Sequence, residues 1–236
     1  MNDHNTNANF FFLRGKDGFL KGNYQNCIKD LMYAQEMYTT TGNKERSAES
    51  SLLLASAYFN ITRLDQSRLM FTRAYSRFKE LNKLAKLGEC ALALGEIYKE
   101  EGQFKSSRQY LLESIHIFTN LKDVEKIADS WRHLAEAYQM DLSDSPDHQI
   151  NIVEAYQTAH GYYKKAQNNR MKAECEFDLG HVLISQSRYS EALKYLSPAF
   201  TYFKETNNHD NVITVAILIG RIYFYMKKKP KAKEYM

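Results

Sequence analysis

The sequence predicts an all-α protein built as a stack of helical pairs, and three observations lead there. Helix breakers are scarce, with 3 prolines and 10 glycines in 236 residues, while Lys, Glu, Leu, Ala, Tyr and Phe are plentiful. Such a composition leaves long runs free to be helical and gives strands little room. Apolar residues recur three and four apart, the spacing that puts them on one helical face. The pattern then repeats in steps of forty residues, and self-similarity at such a period marks an architecture whose units bury their apolar faces on one another.

Residues 51–80, "SLLLASAYFNITRLDQSRLMFTRAYSRFKE", read as two amphipathic helices and a turn, answered forty residues later by "ALALGEIYKEEGQFKSSRQYLLESIHIFTN". In the first helix of each pair a large aliphatic recurs as Leu54, Leu94, Leu134, Leu179 and Ile219, each followed by a small residue: Ala55, Gly95, Ala135, Gly180 and Gly220. The small residue lets two helices approach closely. Three further on stand Tyr58, Tyr98, Tyr138, Leu183 and Tyr223. The second helices repeat Leu31, Phe71, Leu111, Tyr156 and Leu196, then a small residue, then Tyr38, Phe78, Phe118, Tyr163 and Phe203. These rings are expected to seal one pair against the next.

Turns are predicted at "KGNY", "EGQF" and "QSRY", where Gly22 and Gly102 can take backbone angles other residues resist. The period is interrupted by five extra residues around "DLSDSPDHQ", whose polar composition predicts a loop outside the stack. The expected repeats are 8–43, 44–83, 84–123, 124–168, 169–208 and 209–236, the last incomplete, all in one solenoid over residues 1–236. The uncovered sixth pair calls for a cap, with a second copy of the chain as one candidate.

At "WRHLAEAY", with Trp131, Leu134, Ala135 and Tyr138, the chain resembles tetratricopeptide repeat (TPR) proteins over essentially its whole length. Gly18 and Leu183 depart from the tyrosine column. The usual repeat of that family is about 34 residues. A step of forty implies longer helices, as in kinesin light chains, spindle-orientation adaptors and bacterial peptide-pheromone receptors of the Rap/NprR/PlcR kind. The resemblance implies a right-handed superhelix, an α-solenoid, whose concave wall is formed by the first helix of each pair.

Helical spacing groups four sets of residues on that wall: Glu49, Leu52, Ser56 and Phe59; Glu89, Leu92, Glu96 and Lys99; Asp129, Arg132, Glu136 and Gln139; Glu174, Phe177, His181 and Ile184. An acid heads each set. With Glu100 and Asp178, eight carboxylates gather against Lys99, Arg132, His133 and His181. A trough of one sign of charge favours a ligand of the opposite sign, so the expected partner is an extended peptide or protein segment carrying Arg or Lys. Against this stands a solvated helix face whose acids pair with neighbouring cations, each pair contributing about 0 to 1 kcal/mol.

The lysines and asparagines with which chaperone-tail clamps of the family grip carboxylates are largely unmatched, since Ser56, Glu96 and Glu136 stand there. The pheromone-receptor resemblance implies a peptide role for Glu89, Glu96, Asp129, Glu136, Glu174 and Asp178 by their place in the repeat. The alternative reading is therefore a peptide-sensing regulatory domain of a bacterial quorum-sensing regulator whose effector domain is absent from this chain.

No His-Glu-x-x-His, Cys-x-x-Cys or glycine-rich phosphate loop occurs, so neither cofactor, metal nor catalysis is expected, and His133 and His181 read as polar contacts. Cys27, Cys90 and Cys175 lack the spacing of a zinc site or disulfide framework, which suggests a reducing, cytoplasmic setting. Membrane partners are not expected, because the most apolar segment, "VITVAILIG", stops at Arg221. Net charge is only +4, and the run "KKKPKAK" aligns with an inter-helix turn and the start of a second helix, which argues against nucleic acid.

Overall fold

The computed structural model describes residues 2–141 and 146–235. Their secondary structure is helical, and the helices fall into two compact units. The first, up to Leu121, contains α1 (Asn2–Leu20), α2 (Tyr24–Thr40), α3 (Lys44–Asn60), α4 (Leu64–Glu80), α5 (Leu84–Glu100) and α6 (Phe104–Leu121). The second, from Lys122, contains α7 (Val124–Met140), α8 (Pro146–Lys165), α9 (Asn169–Ser185), α10 (Tyr189–Glu205), α11 (His209–Tyr225) and the short α12 (Lys229–Lys233). In each unit consecutive helices pack pairwise, and each pair packs on the next.

Close approach within a pair rests on the small-residue column. A Cβ built on Gly95 would lie 2.6 Å from Leu111 Cγ, and one on Gly180 would lie 2.5 Å from the Leu196 side chain. Any side chain there would push the helices apart. The Ser107 hydroxyl donates to the Gly95 carbonyl at 2.7 Å and Ser67 to Ala55 at 2.8 Å, so buried polar atoms on this seam find partners.

The ring column also packs within its own pair. Phe118 of α6 lies where a Cβ on Gly88 of its partner α5 would fall, 2.9 Å from the ring. Tyr163 of α8 likewise reaches its own partner, donating to Asp129 of α7 at 2.8 Å. These rings close the open end of each hairpin.

Helix ends recur as regularly as the cores. The backbone takes positive φ at Gly22, Gly42 and Gly102, but also at Thr62, Asn82, Lys122, Gln167, Ser187, Asn207 and Lys227. After nine of these ten residues the following amide donates back to the carbonyl five residues earlier, as in Asn43 to Tyr38 at 2.8 Å and Arg188 to Leu183 at 2.8 Å. This satisfies carbonyls the helix leaves unpaired. Asn43, Asp123, Asn168 and Asn208 then cap the next first helix through their side chains.

Of the inserted segment expected as an outside loop, residues 142–145 lie outside the described residues, while Pro146 to Gln149 form the first turn of α8, which reaches 20 residues. Proline is favoured at a helix start, where its missing N–H costs nothing. The lysine run behaves as its alignment predicts: Lys227 and Lys228 make the turn and Lys229–Lys233 is helical.

Candidate functional site

The predicted wall is described separately in each unit. In the second, α7 and α9 present Asp129, Arg132, His133, Glu136, Glu174, Phe177 and Asp178, each partly exposed, and His181, which is exposed. Arg132 links the two helices: its Nε donates to Asp178 at 3.1 Å, and its Nη2 lies 3.2 Å from Glu136 of its own helix. His133 Nδ1 is 3.2 Å from the other Glu136 oxygen.

The electrostatics of this cluster are uneven. Burial works against the Arg132 charge, but Glu136 and Asp178 outweigh it and hold the guanidinium pKa above its ordinary value. Burial also raises the Asp178 carboxyl above the usual carboxylate range, even though Arg132 pulls it down, and Glu136 and Glu174 push it up further. Arg132 is thus shared between a carboxylate of its own helix and one of α9. The Tyr156 hydroxyl is raised by burial, by Asp178 and by Glu136, and it donates to Gln139 at 3.0 Å.

Phe177 and Ile184 lie on α9 beside His181, and Ile217 and Phe224 occupy the corresponding places on α11, where both are about half exposed. The sequence grouping into four sets stops before α11 and so leaves out Ile217 and Phe224. Their column, shared with Phe177 and Ile184, was the available signal.

In the first unit, α3 and α5 carry Glu49, Phe59, Glu89 and Glu96, all partly exposed. Glu96 makes no ion pair among the described residues. Lys99, predicted on the wall, is only 6% exposed, with its Nζ 3.5 Å from Glu100.

The acids heading each set have local partners. Arg46 pairs with Glu49 at 2.9 Å, Lys86 with Glu89 at 2.9 Å, Lys126 with Asp129 at 3.4 Å and Arg170 with Glu174 at 3.2 Å. A cation three residues before the acid recurs in the first three, a signal readable in sequence and missed. Exposed pairs of this kind are worth little, so they dilute the charge of the wall without rigidifying it.

Cys27, Cys90 and Cys175 are free and buried, and burial pushes the Cys27 thiol up to about 11, away from thiolate chemistry. Among the described residues, no group of three His, Cys, Asp or Glu side chains is placed to hold a metal ion. No described helix is long and apolar enough to cross a membrane.

No protein-family profile matches the chain. It is 21% identical over 191 residues to the kinesin light chain-related protein 1 of Arabidopsis thaliana, a match covering 77% of this chain and 30% of that protein. The chain thus spans about a third of that curated relative. Among solved structures, the signal transduction ATPase with numerous domains from Pyrococcus horikoshii, which has a tetratricopeptide repeat sensor, aligns at a TM-score of 0.83 and 12% identity over 98% of this chain and 36% of that one. The Rap conjugation gene regulator of plasmid pLS20, in complex with the Phr* peptide, aligns at 0.65 and 16% identity over 97% of this chain and 61% of that one. The fold is therefore that of a TPR-type helical solenoid, and the chain is similar to Rap and kinesin-light-chain-like proteins.

Proposed function

We propose that this chain is a peptide-binding TPR module that holds an extended, basic segment along its first helices and has no catalysis of its own. The observation that carries the reading is the cluster on α7 and α9, where one Arg132 is set against Glu136 and Asp178 and the Asp178 carboxyl is raised by burial. An arriving Lys or Arg would add a charge-assisted contact to the Glu136 and Asp178 carboxylates in a partly desolvated place, where such a contact is stronger than in bulk water. Phe177 and Ile184 would receive apolar side chains of the same segment, with His133 and His181 as polar contacts. Asp129 and Glu174 contribute field more than contact, since Lys126 and Arg170 already attend them. On the first unit Glu96 and Phe59 are the corresponding pair, with Glu49 and Glu89 behind their own cations. The Rap regulator in complex with the Phr* peptide supports the coarser reading of a peptide site on this fold.

The test is binding to an array of short peptides, followed by Glu96→Lys and Glu136→Lys. Basic peptides should be retained and acidic ones not, with each charge reversal weakening retention at least tenfold. Equal retention of both kinds, or no effect of either reversal, contradicts the reading. A second reading, peptide sensing within a longer regulator, draws on the extent of the Rap match, which leaves part of that chain unaligned. The sequence of the full-length gene decides it: an effector domain supports the regulator, further repeats the scaffold.

A further inference from the structure

Away from the wall, the first unit holds a cavity of about 470 Å³ between α2 and α4, floored by the start of α3. The corresponding groove is closed one pair further on. There Tyr75 donates to Glu113 at 2.6 Å and packs edge-on against Tyr110, bridging α4 to α6. In the second unit the ring of His160 meets Tyr195 edge-on, bridging α8 to α10. Forty residues before Tyr75 and Glu113 stand Gln35 and Arg73, and these two do not meet. Gln35 turns away to donate to Ser51 at 2.9 Å, and Arg73 is left exposed with no ion pair among the described residues.

The lining holds Arg73, Arg77 and the Glu80 carboxylate, and at one position it is cationic where its counterparts are apolar. The column of Met37, Ile117, Tyr162 and Tyr202 is filled on α4 by Arg77, one helical turn from Arg73. Arg77 pairs with Glu80 at 2.9 Å through one nitrogen, which leaves the rest of its fork free. Ser76 between them is exposed and unbonded. Thr39, Ser51 and Thr72 direct their hydroxyl hydrogens to backbone carbonyls of their own helices, Ser47 is bonded to Thr39 and Gln35 to Ser51, so the uncommitted side-chain donors of the lining are chiefly those of Arg73, Ser76 and Arg77.

We propose that this cavity is a binding site for a phosphate monoester, carried on a protein side chain or on a small molecule. Two guanidinium forks a turn apart suit an anion with three terminal oxygens better than a carboxylate, which one fork saturates. The Ser76 hydroxyl would donate to the third oxygen, and a phosphate dianion brings the charge that Arg73 lacks. The inference stands independently of the peptide wall.

The test is titration of the ¹⁵N-labelled protein with inorganic phosphate, with a short peptide containing phosphoserine, with the same peptide unphosphorylated, and with acetate at matched ionic strength. Both phosphate probes should give saturable shifts centred on the Arg73 Nε and the Ser76 and Arg77 amides. Arg73→Ala, an exposed site that leaves the core intact, should weaken binding at least tenfold. Glu80→Gln should strengthen it by freeing Arg77. Tighter binding of the phosphopeptide than of inorganic phosphate identifies a protein source, and equal binding a small molecule. Shifts from acetate equal to those from phosphate, shifts spread over all surface cations, or an unchanged affinity in Arg73→Ala overturns the proposal.

Discussion

At the scale of single residues, the fold depends most sharply on places where nothing but hydrogen fits. Gly180 is the clearest, since an added Cβ would fall 2.5 Å from the fully buried Leu196. Gly180→Ala should cost about 1–3 kcal/mol in urea unfolding, the usual range for an overfilled core. Adding Leu196→Val should recover part of that loss, so the double variant is less destabilised than the sum of the singles. The same scale sets the pH dependence of the site. Because burial raises the folded-state pKa of Asp178, its contribution to stability is present below the unfolded carboxylate value and is lost as pH rises through the folded value. A basic peptide placed beside it would lower that pKa, so binding releases a proton and affinity should rise as pH climbs through the range from the ordinary carboxylate value to the raised folded-state value. Calorimetric titration across that range checks this, and Asp178→Asn should flatten the rise.

At the scale of elements, the helices and their pairing were legible because each column serves one purpose repeated along the chain. Leu94, Gly95, Leu111 and Phe118 could be assigned to the core from spacing alone, and all but the close fit of Gly88 under Phe118 could be anticipated. Glycine marked some turns, and the repeat alignment marked others, such as QSRY and the lysine run, that have none. Thr62, Lys122 and Ser187 take the same left-handed backbone without glycine, held there by the packed helices on either side. Tertiary context overrides local preference at these positions. Thr62 is the most strained, being β-branched at φ 58. Thr62→Gly should therefore stabilise the protein by about 1 kcal/mol, read as a shift of the urea midpoint without a change in slope. The ion pairs that attend Glu49, Glu89 and Asp129 were visible as a basic residue three positions upstream. The bridge from Arg132 to Asp178 was not, because it depends on how α7 and α9 lie together and no local pattern encodes that.

At the scale of the whole molecule, each unit has its own apolar core, with Leu31, Leu54, Phe78 and Leu94 in the first and Tyr156, Leu179, Leu196 and Ile219 in the second. The chain is formally +4, so the proposed attraction of a basic segment would have to come from the local field of Glu136 and Asp178 and not from net charge. Such a field acts at short range in physiological salt. The measurement that tests this most directly is paramagnetic broadening in the NMR spectrum of the protein, caused by a nitroxide on a short arginine-containing peptide. Broadening concentrated on the strip from Glu136 through Phe177 and Asp178 to His181, and lost with Glu136→Lys, is the predicted result. Broadening that leaves this strip untouched, or that persists unchanged in the variant, contradicts it.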